Sequence, residues 1–302
     1  MKVRTYLLRL LGPVLVLGTL GALGGTGIAS AAQASHKGWW VCSGTLKKPG
    51  VLTGHHVDVE VAGACDVNAG HAQVQGNIIL APGATLVAAF ARNDRRHKGT
   101  SGLTVGGNIT VLKGGSLILG CESPFFPCLD DPHPKHPTLS STTLVGGNLV
   151  AADSLGILMH HSIIGGNVVQ TAGGGGLKCV PQGVFALFKS PVYSDYEDNQ
   201  IGGGLNVSGL RSCWLGALRN AVHGNLTAAG NRMADPDANE ILTNLVHGNI
   251  ACSGNSPAVQ YGDSHGMANR VVGSAAGECG FGVLKPDPAP SGPLAPISVL
   301  VS

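Results

Sequence analysis

Val105-Gly106-Gly107-Asn108-Ile109 is the stretch of sequence that determines the fold, because close versions of it return along most of the chain. The shortest step, from Val145 to Ile164, is 19 residues and fits one structural unit, whereas the steps of 37 and 40 residues fit two. A motif that returns in this way indicates stacked copies of one small unit. The copies begin at Val74, Val105, Val145, Ile164, Ile201, Val222 and Val246.

Within each unit, aliphatic residues return every six positions, as Val105, Val111 and Leu117 do. Three such hexads make about 18 residues, enough for one triangular turn of a β-helix whose side chains alternate inward and outward. Helical periodicity is not sustained beyond the N-terminal segment. The sequence therefore predicts an all-β protein, a single-stranded parallel β-helix (β-solenoid) with triangular turns of about 18–20 residues.

The Gly-Gly-Asn step is expected at one corner of the triangle. Glycine and asparagine adopt the left-handed backbone conformation at little cost, which suits a corner. Stacked asparagines at this corner are also expected to hydrogen-bond along the stack. A second glycine corner is predicted in Lys113-Gly114-Gly115-Ser116-Leu117.

The composition fits a narrow, tightly wound core. The 302 residues include 47 glycines, and aromatic residues make up only 4% of the chain. Apolar residues reach 43%, which is too many for a disordered chain. A formal net charge of +2 favours neither a nucleic-acid partner nor an anionic membrane surface.

The chain ends predict export. Residues 1–34 read as a secretory signal peptide, with Lys2, Arg4 and Arg9 before a short apolar run and small residues at its end. That run is short for a spanning helix, so no membrane span is expected in the mature chain. No twin-arginine pair is present, which favours the general secretory route. We predict a signal at 1–34, a β-solenoid domain at 35–280 and a Pro-rich tail at 281–302.

An even number of cysteines in an exported chain indicates disulfides. Eight cysteines allow 105 connectivities, so sequence does not determine the pairing. A solenoid repeat contacts only its neighbours, which favours pairing in chain order. No Cys-x-x-Cys is present, which argues against a zinc site built from cysteines. The expected pairs are Cys42 with Cys65, Cys121 with Cys128, Cys179 with Cys213, and Cys252 with Cys279.

Loop insertions are predicted near residues 92–101, 121–137 and 180–200, and loops on such scaffolds often hold the functional residues. The last insertion is rich in aromatic residues, which are expected to pack a loop onto one face or to stack against a ligand. These aromatics are Phe185, Phe188, Tyr193 and Tyr196.

The densest group of possible metal ligands lies in the second insertion, where Asp130, Asp131, His133 and His136 supply donors that suit zinc or manganese. The prolines between them predict an extended loop, which does not preset a tetrahedral site. We therefore assign no metal and no cofactor. The same four residues, with Tyr193, Asp195 and Tyr196, are the candidates for ligand binding.

Catalytic patterns are incomplete. Gly262-Asp263-Ser264-His265-Gly266 is similar to the nucleophile segment of trypsin-like proteases, but no histidine precedes a cysteine to supply the expected base motif. A glycosidase needs two carboxylates about 5–10 Å apart across the sugar, and no complete set of polygalacturonase motifs is present. The histidines at or near strand corners, among them His160-His161, His223 and His247, are predicted to be structural.

The hexads of Val-x-Gly-Asn-Val followed by x-Gly-Ala-Ser-Leu resemble those of bactofilins, the polymer-forming β-helices. The ending that runs from Gly248 through Cys252 to Cys279 is similar to that of uncharacterised secreted actinobacterial β-solenoid proteins with Val-Gly-Gly-Asn repeats. The resemblance covers residues 40 to 280 and implies a right-handed helix. Bactofilins are cytoplasmic and lack this signal and these cysteines, so their cytoskeletal role is not implied.

The sequence favours an exported, non-catalytic structural or interaction protein of the cell surface or extracellular space. Its expected partners are cell-wall or extracellular polysaccharide, or further copies of itself. The alternative is a carbohydrate-active β-helix, polysaccharide-binding or polysaccharide-degrading, with its site on the face formed by residues 121–137 and 180–200.

Overall fold

The computed structural model describes residues 38–96, 98–133, 135–262 and 266–280. The predicted signal peptide, the Pro-rich tail and the middle of the protease-like segment lie outside this part of the chain. Its strands form long parallel sheets that stack as a single-stranded β-helix, and this confirms the predicted fold class. Among the described residues, no helix has the length and apolar character needed to cross a bilayer.

Three parallel sheets form the sides of the β-helix, and each turn of the regular stack adds one strand to each sheet. The first sheet has ten strands, Trp40–Cys42, Val59–Val61, Ile78–Leu80, Ile109–Val111, Leu149–Ala152, Val168–Thr171, Leu205–Ser208, Leu226–Ala229, Ile250–Ser253 and Ala275–Gly277. The second sheet has eight, Gly50–Val51, Ala64–Asp66, Thr85–Ala88, Ser116–Leu119, Gly156–His160, Tyr193–Glu197, Trp214–Leu218 and Glu240–Leu242. The third sheet has nine, Gly54–His56, His71–Val74, Gly102–Val105, Leu144–Val145, Ile163–Ile164, Gln200–Ile201, Ala221–Val222, Leu245–Val246 and Arg270–Val271.

Smaller elements complete the described chain. A two-stranded parallel sheet pairs Arg211–Ser212 with Arg232–Met233. Short 3-10 helices span Gly183–Ala186 and Glu278–Gly280.

The core is a set of aliphatic columns that run along the stack. Ile109 pairs with Ile78 on one side and with Leu149 on the other, and all three side chains are fully buried. Val111 and Leu117, which share the predicted six-residue period, are also fully buried. Burying one such side chain stabilises a fold by about 1.5–3 kcal/mol, so the repeated columns supply the main driving force for stacking.

The long steps of the motif are single turns with insertions, and the prediction that they contain two turns was wrong. Strands Ile109–Val111 and Leu149–Ala152 are direct neighbours although residue 149 lies 40 positions after residue 109. The insertions occupy residues 89–101, 120–143 and 172–192, between strands of the regular stack. The third one ends before Tyr193, not near 200, because Tyr193–Glu197 pairs in register with strands on both sides.

The Gly-Gly-Asn corner does not use left-handed backbone, which corrects the prediction. Gly107 and Gly147 are absent from the residues with positive φ. They are required instead because the neighbouring turn lies so close: a Cβ on Gly147 would be 2.5 Å from Asn108 Oδ1 and 2.7 Å from Gly107 O of the preceding turn. The second corner does behave as predicted, with φ of 75° at Gly83 and 72° at Gly114.

The asparagines of this corner form the predicted hydrogen-bonded ladder. The backbone N–H of Asn108 donates to Asn77 Oδ1 (2.9 Å), and that of Asn148 donates to Asn108 Oδ1 (2.8 Å). Asn167 donates to Asn148 in the same way at 2.8 Å. The series stops at Gly204, whose N–H reaches Asn167 Oδ1 at 2.8 Å but which has no side chain to continue it.

All eight cysteines form disulfides, and they pair in chain order as the contact between neighbouring turns predicts. Four disulfides indicate that the chain folds in an oxidising environment. The pairs are Cys42 with Cys65, Cys121 with Cys128, Cys179 with Cys213, and Cys252 with Cys279.

Candidate functional site

All three insertions pack onto the outer face of the second sheet, the first one through Ala89 and Ala91. Strand alternation points Ile118 and Leu158 away from the core, where they meet the 3-10 helix residues Val184 and Phe185 in a separate apolar cluster. Phe126 of the 120–143 insertion lies against the same cluster. The insertions therefore cover the outer face of the second sheet with an apolar layer. Among the described residues, neither of the other two sheets has such a layer.

Beside this apolar layer lies a buried group of ionisable side chains, here called the outer-face cluster: His160, Asp195, Glu197 and Glu240. His160 pairs across the sheet with Glu197, and Asp195 pairs with Gly216 in the next strand, which pairs with Glu240. Each residue points outward because its neighbours in the strand point into the core. Register alone thus brings together residues that are far apart in sequence.

The imidazole of His160 lies between two carboxylates without hydrogen-bonding either. Its Nε2 is 3.7 Å from Asp195 Oδ2, and its Nδ1 is 3.7 Å from Glu197 Oε2. Phe126 stacks on the ring with centroids 3.9 Å apart and planes 2° apart, which leaves His160 only 1% exposed. The ring of His160 stacks on an insertion phenylalanine and not on another histidine, and its structural role stays a prediction.

Arg219 closes the cluster at the next corner of the stack. Its guanidinium donates to Glu197 Oε2 at 2.8 Å and to Asp198 Oδ2 at 2.7 Å. The ring of Phe125 lies 4.0 Å from the guanidinium carbon, in cation–π contact. Glu122 Oε2 of the same insertion lies 3.3 Å from His161 Nδ1, so the loop meets the sheet through polar groups as well as by apolar packing.

Burial shifts the ionisation of these groups. It raises the pKa of Asp195 well above the ordinary carboxyl range, with a contribution from Glu197, whose own pKa is also raised by burial. Burial and the hydrogen bond with Asp198 raise the pKa of Glu122 to about 8. The pKa of His160 falls to about 3, because burial disfavours the imidazolium. His160 is therefore neutral at pH 7.

A separate cleft of about 300 Å³ opens one step further along this face. Tyr193 and Trp214 form its aromatic side, with ring centroids 6.0 Å apart in an edge-to-face arrangement. Asp235 and Asp237 supply carboxylates on one loop, and the N–H of Asp237 donates to Asp235 Oδ1 at 3.0 Å. Ser190, Pro191 and Cys213 complete the lining.

The indole of Trp214 is fixed in place by two contacts. Its Nε1–H donates to Glu240 Oε1 at 3.1 Å. Its ring lies across Gly216, where any Cβ would collide with it. The glycine two residues after the tryptophan is therefore what lets the ring lie along the sheet and form the side of the cleft.

The carboxylates among the candidate ligands in the second insertion instead join it to the first insertion, through Asp130, and hold its own loop together, through Asp131. Asp130 accepts from the backbone N–H of Ala91 at 3.0 Å, and Asp131 accepts from the N–H groups of His133, Thr138 and Leu139, each at 2.8 Å. Among the described residues, the groups that could bind a metal do not include this loop. His136 is exposed and also lies in this loop.

The aromatic candidates divide between the two faces of one strand. Tyr196 was a wrong candidate for ligand binding, because it points into the core, is fully buried and donates to Gln170 Oε1 at 2.7 Å. Tyr193 points outward into the cleft, and Asp195 points outward into the outer-face cluster. Tyr193, Asp195 and Asp130, which would have formed one glycan site, do not meet in a single cleft.

Comparisons with protein-family models, with curated proteins and with solved structures find no match for this chain. The functional residues are therefore argued from the structure itself. Sequence reasoning weighed Glu240, Asp235 and Asp237 only as possible glycosidase acids, and it missed Trp214 and the pairing of His160 with Glu197. The available signal was the pattern Asp195-x-Glu197, which places two carboxylates on one side of a strand, and the Trp-x-Gly step at Trp214.

Proposed function

We propose that this protein is an exported, non-catalytic interaction module that binds a neutral extracellular polysaccharide at the Tyr193–Trp214 cleft. The observation that supports this most directly is the pairing of a half-buried aromatic wall with two carboxylates in one cavity. Its volume lies at the lower end of the range for small-molecule sites, which suits one or two sugar rings.

The lining residues suit sugars of a particular charge. Aromatic rings pack against the apolar faces of pyranose rings, while Asp235 and Asp237 accept hydrogen bonds from hydroxyl groups. The same carboxylates repel uronic acids. We therefore infer a neutral glucan or an N-acetylated amino-sugar polymer as the ligand, and not an acidic polysaccharide.

The arrangement favours binding over hydrolysis. Glycosidase carboxylates flank the scissile bond, whereas Asp235 and Asp237 lie on the same loop and touch through a backbone hydrogen bond. The carboxyls with a raised pKa, Asp195 and Glu197, do not line the cleft, and Asp195 is only 6% exposed. No acid of this cluster is placed to protonate a leaving group in the cleft.

Export rests on two observations. The four disulfides require an oxidising compartment, and the chain begins with the pattern of a secretory signal. A cell-surface or extracellular location also places the cleft where polysaccharide is available. The similarity of the repeats to those of secreted actinobacterial β-solenoid proteins stays a prediction.

The test is a glycan array and a pull-down on insoluble polysaccharides, with a parallel screen for released reducing ends. We expect retention on neutral polymers, no retention on polyuronates and no hydrolysis. Trp214→Ala is expected to weaken binding at least tenfold. Trp40→Ala, which removes an indole that is 39% exposed on the first strand, is the matched control and leaves binding unchanged.

Two results would overturn the proposal. Equal retention of the Trp214→Ala and wild-type chains would show that the cleft is not the binding site. Release of reducing ends by the wild-type chain would replace binding with hydrolysis as the function. Asp235→Asn with Asp237→Asn separates the charge argument from the aromatic one, because it is expected to admit uronic acids while keeping affinity for neutral sugars.

A further inference from the structure

The imidazole of His160 is the least satisfied buried polar group of the outer-face cluster. Among the described residues, neither ring nitrogen has a hydrogen-bond partner, and the side chain is 1% exposed. Oδ1 of Asp195, next to it, is likewise buried without a hydrogen bond. Buried polar atoms are almost always paired, since leaving one unpaired costs about 1–3 kcal/mol. An unpaired imidazole next to a carboxylate with an unpaired oxygen indicates a missing partner.

The donors converge on a volume that suits a cation. One imidazole nitrogen, one oxygen of Asp195 and one oxygen of Glu197 lie within 4.8 Å of one another. Zinc bonds of about 2.0–2.2 Å place tetrahedral ligand atoms about 3.4 Å apart. The contact of 3.7 Å between His160 Nε2 and Asp195 Oδ2 is close to that spacing. Glu197 faces the other ring nitrogen but lies within the 4.8 Å span, so its carboxylate would have to move by about 1–1.5 Å to complete coordination.

The residues around these three side chains are of the kind that surround metal ligands in proteins. Arg219 hydrogen-bonds Glu197 Oε2 at 2.8 Å and so orients that carboxylate. Phe126 excludes water from the ring of His160. Hydrogen bonds to the ligands and an apolar cover are the features that orient and tune a bound metal.

We propose that His160, Asp195 and Glu197 bind one divalent cation of the zinc class and fasten the 120–143 insertion to the second sheet. One nitrogen and two oxygen donors suit Zn²⁺ better than Mg²⁺ or Ca²⁺, which prefer oxygen alone. The other group of three possible ligands, Cys179, Cys213 and Asp235, is excluded because the two sulfurs are bonded to each other. This site is separate from the sugar cleft.

The test uses the full exported chain, purified without a histidine tag, equilibrated with Zn²⁺ and passed through a desalting column. Elemental analysis is expected to give about one zinc per chain. His160→Asn and Asp195→Asn are expected to bind zinc at least tenfold more weakly. His161→Ala, which removes the neighbouring exposed imidazole, is the matched control and retains one zinc. Mg²⁺ in excess is not expected to displace the zinc.

Circular dichroism checks that each variant folds. Less than about 0.1 zinc per wild-type chain, or equal zinc in the wild-type, His160→Asn and Asp195→Asn chains, would overturn the proposal. If the variants of His160 and Asp195 fail to fold, the decision rests on the wild-type stoichiometry and on its thermal melting. A bound ion raises the melting temperature with zinc concentration, and an absence of both effects would reject the site.

Discussion

The Asn ladder and the outer-face cluster are both columns of polar side chains in the same stack, yet they differ in how their partners are supplied. In the ladder, each carboxamide meets the backbone N–H of the following turn, as Asn108 does with Asn148 at 2.8 Å. In the cluster, His160 meets only two carboxylates at 3.7 Å. The repeat supplies hydrogen-bond partners for its own carboxamides, whereas His160 has no hydrogen-bond partner within the repeat. This difference distinguishes polar residues that maintain the fold from polar residues that are available to bind a ligand.

The largest expected effect tests the close approach at the ladder corner. Gly147→Ala places a methyl group 2.7 Å from Gly107 O, a backbone atom that cannot move aside. We expect a loss of about 3 kcal/mol or more in the free energy of unfolding, or failure to fold. Chemical denaturation followed by circular dichroism measures it.

Gly83→Ala is the matched control at the other glycine corner. No atom lies within 4 Å of the added Cβ, and only the left-handed φ of 75° is unfavourable. The expected loss is about 1–2 kcal/mol. Equal losses at Gly83 and Gly147 would mean that backbone conformation, and not close stacking, explains the Gly-Gly-Asn motif.

A smaller effect is expected from the ladder itself. Asn148→Ala removes the acceptor of the Asn167 N–H and the donor to Asn108 Oδ1, which should cost about 2 kcal/mol. Asn206→Ala, at an exposed position of the first sheet, should stay within about 0.5 kcal/mol of wild type. A ladder variant as stable as the Asn206 variant would show that the ladder hydrogen bonds are replaced by water without loss.

The smallest effect comes from the cluster and depends on pH. The pKa of Glu122 is raised to about 8 in the folded chain, so the folded state holds a proton that the unfolded state releases. The contribution of Glu122 to stability therefore falls as pH rises from about 4.5, the pKa of the unfolded chain, to about 8. His160 acts oppositely at lower pH: its pKa is lowered to about 3, and stability falls as pH drops below about 6.5.

Glu122→Gln should remove part of the loss of stability at high pH, and it should stabilise the chain by about 1 kcal/mol at pH 8.5. This gain is smaller than the full pKa shift implies, because solvent reaches this loop. Unfolding in the presence of a chelator measures the slope without a bound cation. Asn206→Ala, which removes no ionisable group from an exposed position of the first sheet, is the control and should leave the slope unchanged. An identical slope in wild type and Glu122→Gln would remove Glu122 from the pH-dependent group.

The regular part of the molecule was predictable because the sequence pattern that determines it is short and repeated. The six-residue period of Val105, Val111 and Leu117 gave the buried columns, and contact between adjacent turns gave the disulfide pairs. The reason for the glycines was not predictable, because sequence shows that Gly147 lacks a Cβ but not that the preceding turn occupies its place. Step length alone also could not separate two turns from one turn with a long loop.

The candidate site was only partly predictable, for a different physical reason. Asp195 and Tyr193 were identified as candidates, but they were assigned to a loop although they lie on a strand between two partners. His160 and Glu197 lie on strands that pair directly in the sheet, but the 172–192 insertion separates these strands in sequence and so conceals the contact. Trp214 was not predicted because it lies in a regular turn of the stack. Only Gly216, the glycine two residues later, indicates that the indole lies flat along the sheet.

The Asn ladder also has a consequence for how this chain tolerates change. Asn148, after the 120–143 insertion, and Asn167, one uninterrupted turn later, each donate to the carboxamide of the preceding turn, although 40 and 19 residues separate the partners. The length of a loop is thus uncoupled from the alignment of the strands that follow it. Foreign segments grafted between residues 89 and 101 should therefore leave the rest of the rod in phase, which makes the corner a reference point for engineering display scaffolds.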